Sequence, residues 1–197
     1  MIFPPSFEPF QDRLSRDIRN ELAAALPLAL AQNDLAPTLK VAERYRQQGL
    51  TAPYAAYIEA RLAGYAKALA IIARTGAEGA LAKALVLWDL GLFFEVHEIL
   101  EQAWRGARGA EKELLQAMIR AAGFYIKGEY GYFEAGAKMA GRAVAALGKN
   151  RQGCAGFDLD ALLESLRNLD PIPPKLLRQD PLLFALDSGR SMVYQKK

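Results

Sequence analysis

The 197-residue chain carries 25 Lys/Arg against 22 Asp/Glu, a formal net charge of +3, with 52% hydrophobic residues and one cysteine, Cys154. This composition is that of a soluble globular protein, and a single cysteine excludes an intrachain disulfide; the charges are spread out, with no basic run interleaved with aromatics, so nucleic acid is not an expected partner. No apolar stretch is long enough to span a membrane, and Met1–Pro5 lacks a basic region leading into an apolar run, so a cytoplasmic protein with no membrane partner is expected.

Nearly every segment has a helical period, and none alternates as a strand does. Leu14, Ile18, Leu22, Ala25 and Ala29 predict a first helix over 11–32, which Pro27 should kink or end early. Pro37 suits the first turn of a short helix closed by Gly49, and Thr51 offers a hydroxyl N-cap to a helix over 53–74. After Gly76 and Gly79 come helices over 80–90, over 92 to 104 or 105, over 110–127 and over 132–147, punctuated by Gly91, Gly106, Gly109 and Gly128. Beyond Gly148 a short amphipathic helix over 160–169 precedes Pro171, Pro173, Pro174 and Pro181, so 170–197 should be an extended tail that packs or frays.

The expected fold is therefore all-α, a bundle of about six to eight helices built from antiparallel helical hairpins. N-terminal helices (1–76) should pack on a motif-bearing core (77–150), followed by a short helix and Pro-rich tail (151–197). The core contains an internal echo: Phe93–Phe94–Glu95–Val96 resembles Tyr132–Phe133–Glu134–Ala135, each after a glycine turn, an alignment that pairs Phe93 with Tyr132. Two similar hairpins in one bundle explain this more simply than a repeat array, since two copies are too few for a solenoid.

The richest segment is Phe93–Trp104, which holds the only histidine. On a wheel of about 100° per residue with His97 at zero, Ile99, Leu92, Ala103, Val96, Leu100, Phe93 and Trp104 form an apolar arc of roughly 140°. Glu101 falls about 40° and Phe94 about 60° from His97, at the arc's edge, whereas Glu95, Glu98 and Gln102 occupy the far side and should face water. His97 and Glu101 thus make a coupled pair flanked by aromatics. Such a pair serves as a hydrogen-bonded structural element, a ligand site, an acid/base couple or part of a metal site. The pattern is neither His-Glu-x-x-His nor Glu-x-x-His, so zinc is disfavoured; a harder ion would need carboxylates such as Glu113 or Glu134. No metal and no cofactor is assigned.

Tyr54, Tyr57, Ile58, Arg61, Tyr65, Leu69 and Ile72 form a second stripe, with Arg61 amid tyrosines. Either its stem packs and its head reaches water, or it reaches Glu101 or Glu98 and ties the N-terminal helices to the motif. Asp89 should organise the turn into the motif helix, and Gln116, Arg120 and Lys127 a solvated face. Cys154, with no histidine near it in sequence, reads as inert.

The stretch Leu87–Arg105 resembles the signature of the family called domain of unknown function 309: a turn with Asn and Gly, an aromatic, then Glu-x-His-Glu-x-Leu-Glu-x-x-Trp. His97, Glu98, Glu101 and Trp104 match, Asp89 stands where Asn is usual, and Gln116 matches the second helix. Arg120 replaces an expected Gln, and Glu129–Tyr130 replaces a Gly-Asn turn. The resemblance covers about 80–148 and implies an all-helical bundle of bacterial or archaeal type, with no activity implied. The expected function is a binding or interaction module using His97, Glu98, Glu101 and Trp104, with Phe94 and Arg61; the alternative is a small-molecule hydrolase or metal-dependent enzyme with His97 as acid/base oriented by Glu101. The partner is an unidentified small molecule or protein, and a homo-oligomer is allowed.

Overall fold

The computed structural model describes residues 7–151 and 156–177. Among them are eight α-helices and no strand: α1 Arg13–Gln32, α2 Ala36–Arg46, α3 Ala52–Thr75, α4 Gly79–Asp89, α5 Phe93–Gly106, α6 Gly109–Glu129, α7 Phe133–Lys149 and α8 Leu159–Arg167. Cys154 and the tail beyond Leu177 lie outside the described residues. No described helix is long and apolar enough to cross a membrane.

The first helix begins where Asp12 accepts hydrogen bonds from the Leu14 and Ser15 N–H groups, satisfying donors that the helix itself leaves unpaired. It does not stop at Pro27 but continues to Gln32. Leu22, Leu26, Ala29 and Leu30 bury one stripe on both sides of the proline, and that burial outweighs one missing backbone bond. Thr51 occupies the N-cap of α3 without a side-chain cap bond; Pro53 in the first turn removes one donor that would have needed it.

Consecutive helices pack on each other: α4 on α5, α5 on α6, α6 on α7 and α7 on α8, while α1 closes over α5 and α3 over α4. The α6–α7 pair approaches closely because glycines on each helix make room for larger side chains of the other, Gly123 for Met139, Gly128 for Phe133 and Gly136 for Phe124. A Cβ on Gly136 would stand 3.0 Å from the Phe124 ring and 3.3 Å from the Phe124 carbonyl oxygen.

The turns into α5 and α7 share one backbone design. Gly91 (φ 72°) and Gly131 (φ 79°) take the left-handed conformation, and the Leu92 and Tyr132 N–H groups reach back to the Leu87 and Lys127 carbonyls, each at 2.9 Å. In this register Leu92 is equivalent to Tyr132 and Phe93 to Phe133, so the alignment of Phe93 with Tyr132 is one position out. The glycine conformation sets the register, whereas aromatic likeness alone does not.

The segment after α8 packs as far as Leu177. Trp88 Nε1 donates to the Pro174 carbonyl at 2.9 Å, and the Asp89 carboxylate accepts from Leu176 N–H (2.7 Å) and Leu177 N–H (3.1 Å). Asp89 therefore holds a segment distant in the chain instead of organising the local turn. Its carboxyl is raised above the usual range by burial, although these two N–H donors and Lys175 act in the opposite sense.

Candidate functional site

Helix α5 presents three faces. Phe93, Val96, Ile99 and Leu100 fill the core as the wheel predicts. The second face carries Glu95, which does not point to water: its side chain is fully covered. Helix α3 lies over it, and the Tyr65 hydroxyl donates a 2.6 Å hydrogen bond to Glu95 Oε1. Arg61 Nη1 stands 3.5 Å from Glu95 Oε2, and Arg61 Nη2 3.7 Å from Glu129 Oε2. Arg61 thus reaches neither Glu101 nor Glu98, nor does its head snorkel out; it clamps α3 to α5 and to the end of α6. A wheel drawn for one helix reports angles, and only the neighbouring helix decides which angles are dry.

The electrostatics of this buried group follow from its isolation. Burial alone would lower the Arg61 pKa, but Glu95, Tyr57 and Glu129 hold the guanidinium protonated beyond its ordinary value. Burial pushes the Tyr57 and Tyr65 hydroxyls up. The Glu129 carboxyl, with a quarter of its side chain exposed, rises by desolvation to about 7 despite Arg61. Arg19 joins from α1: its guanidinium lies 3.9 Å from the Phe94 ring centroid and donates to Asn20 Oδ1, and burial lowers its pKa.

The third face is the half-buried edge. His97 Nδ1 stands 3.4 Å from Glu98 Oε1 and 3.9 Å from Glu101 Oε2, and the three ligand atoms lie within 4.8 Å of one another. That nitrogen is shielded from solvent yet makes no hydrogen bond, although the imidazole as a whole keeps 28% of its side-chain surface. The Phe94 ring is nearly parallel to the imidazole, 6.5 Å away. Trp104 Nε1 is also covered without a partner, Lys112 Nζ sits 4.5 Å from the Trp104 ring, and Arg105 pairs with Glu101 at 3.3 Å. Glu98 thus completes the edge. Glu113 instead accepts from Asn150 at 2.9 Å, and Glu134 is exposed. Gln116 and Arg120 are half-buried, and Lys127 packs its ammonium 3.5 Å from the Phe10 ring, so that face is only partly solvated.

The structure therefore separates the residues expected to form one site. His97, Glu98, Glu101, Trp104 and Phe94 share an edge, while Arg61 belongs to the Glu95 cluster on the far side of Phe94. Sequence inspection missed Glu129 and Arg19. Glu129 stood out only as a departure from a turn pattern, and Arg19 follows the apolar position Ile18 with no mark of its role.

A helical protein with an ionisable motif helix at its centre is the class that this architecture defines. Within it, residues 81–139 match the model of the family described as Domain of unknown function (DUF309). The matched stretch runs from α4 into α7 and contains the whole His97 edge, in keeping with the resemblance carried by the motif. No curated protein and no solved structure matches the chain.

Proposed function

We propose that the protein is a helical binding module whose ligand seat is the α5 edge of His97, Glu98, Glu101 and Trp104, and that the seat takes a divalent cation. One observation carries this reading: a shielded, unpartnered imidazole nitrogen faces two carboxylate oxygens at 3.4 and 3.9 Å. Two carboxylates side by side repel, and a covered ring nitrogen with no hydrogen-bond partner forfeits its hydration. A cation between them relieves both.

Metal–ligand bonds of about 2.0–2.2 Å need donor atoms roughly 3 Å apart, so small side-chain rotations would close this triad. One nitrogen with two carboxylate oxygens suits Mn²⁺ or Zn²⁺ better than Ca²⁺, which prefers more oxygen ligands. The three protein donors would leave positions for water or a second ligand beside Trp104. This revises both the expectation of no metal and the disfavouring of zinc, which assumed that extra carboxylates had to come from other helices, whereas Glu98 and Glu101 stand beside His97 on its own helix. The hydrolase alternative needs the same rotations to bring Glu101, 3.9 Å away, within hydrogen-bonding reach of His97 Nδ1, and it leaves the repulsion between the two carboxylates unrelieved.

Elemental analysis of protein purified without chelator, followed by calorimetric titration with MnCl₂ and ZnCl₂, tests the proposal. One ion per chain is expected, with binding lost in His97→Ala and Glu101→Gln. Absence of retained metal together with no titration heat would overturn it.

A further inference from the structure

A second site lies away from the His97 edge, where α3 passes the turn between α4 and α5. There a cleft of about 380 Å³ opens, within the range of small-ligand pockets. Arg61 and Tyr57 line it from within, Lys67 stands at its rim, and Gly64, Leu90 and Leu92 provide apolar wall. We propose that this cleft binds a small organic anion, its oxyanion group received by Arg61 and Lys67 and its apolar body lying against Leu90 and Leu92.

Three features support the assignment. Arg61 is only 9% exposed, and that remaining surface belongs to a residue lining the cleft. Its two carboxylate partners keep the guanidinium charged, so a permanent cation borders the cavity. Its carboxylate neighbours stand at 3.5 and 3.7 Å, so the fork of N–H donors is not consumed by short hydrogen bonds and keeps its bidentate capacity.

The local charge also favours an anion. Arg61 and Arg19 face Glu95 and Glu129, but Glu129 titrates at about 7, so at neutral pH the group is short of negative charge even before the exposed Lys67 is added. Tyr57 lines the same cleft, and its ring, 4.9 Å from the Arg61 guanidinium, holds that cation at the wall. The remaining lining is alanine, glycine and leucine, which leaves room for an apolar body and offers nothing to a polar one.

Carboxylate and phosphate present the same oxygens to a guanidinium, so the probes are hexanoate and hexyl phosphate, with hexanol as the uncharged control. Calorimetry on the full chain should show one site for at least one anion and none for hexanol. Lys67→Glu should weaken binding about tenfold or more, since a charge-assisted contact becomes a repulsion. Ala60→Trp, at an exposed lining position, should block the cleft without entering the core. Hexanoate, whose own charge is constant there, should bind less tightly as pH rises through about 7, because ionised Glu129, facing Arg61, Glu95, Arg19 and Tyr130, competes with it for Arg61. His97→Ala should leave anion binding intact, which separates this site from the cation seat. Binding of hexanol equal to that of the anions, no binding of either anion, or affinity unchanged in both Lys67→Glu and Ala60→Trp would overturn the proposal.

Discussion

The hairpins α4–α5 and α6–α7 start from the same turn and do different work. Gly91 and Gly131 have nearly the same φ, and the residues after them make the same backbone return. In the register that these glycines set, Asp89 corresponds to Glu129, Glu95 to Ala135, His97 to Ala137 and Glu101 to Gly141. The first hairpin therefore carries ionisable groups on two faces of its second helix, whereas the second uses small residues to bring helices together. Backbone geometry supplies a platform, and the side chains on it decide between chemistry and packing.

The largest expected effect lies on the chemical side of that comparison. Arg61→Met strands the Glu95 carboxylate in a dry site and should cost about 3–5 kcal/mol in denaturant unfolding. The double variant Arg61→Met/Glu95→Met should recover much of the loss, since no buried charge then lacks a partner. On the packing side, Gly136→Ala pushes a methyl toward Phe124 and its carbonyl and should cost about 1–3 kcal/mol. A change at Gly136 within experimental error would mean that α6 and α7 are less tightly seated than their approach indicates.

The equivalent acids sharpen the contrast. Asp89→Ala removes the acceptor for two backbone N–H groups and should cost about 1–3 kcal/mol, with faster proteolysis between 170 and 177. Glu129 acts through its proton, and its effect should be the smallest. Its carboxyl is raised from 4.5 to about 7 in the folded protein, so the folded state binds the proton more tightly than the unfolded chain does. Its stabilising contribution is therefore complete below pH 4.5 and disappears as pH rises through about 7. Relative to Glu129→Gln, wild-type stability should fall across that window in thermal scans; parallel curves would contradict the assignment.

Much of the architecture was legible from residues alone. The helical periods and glycine breaks placed every helix within a few positions, and the wheel correctly put Phe93, Val96, Ile99 and Leu100 in the core. His97 with Glu101 was legible because positions four apart share a helix face. Glu95 was not, because its angle on α5 says nothing of the Tyr65 hydroxyl waiting on α3. Pro27 misled for a related reason: a local breaking signal was overridden by a buried stripe on either side of it.

The sequence by itself determined the helices, their turns and the half-buried histidine edge, since these depend on periodicity and on conformations that glycine alone adopts cheaply. Tertiary structure decided where the charges went. Arg61, Glu95, Glu129 and Arg19 come from four different helices, α3, α5, α6 and α1, and whether each is solvated or paired depends on what covers it after folding. Desolvation is a property of the assembled surroundings, so no reading along one helix could have assigned it.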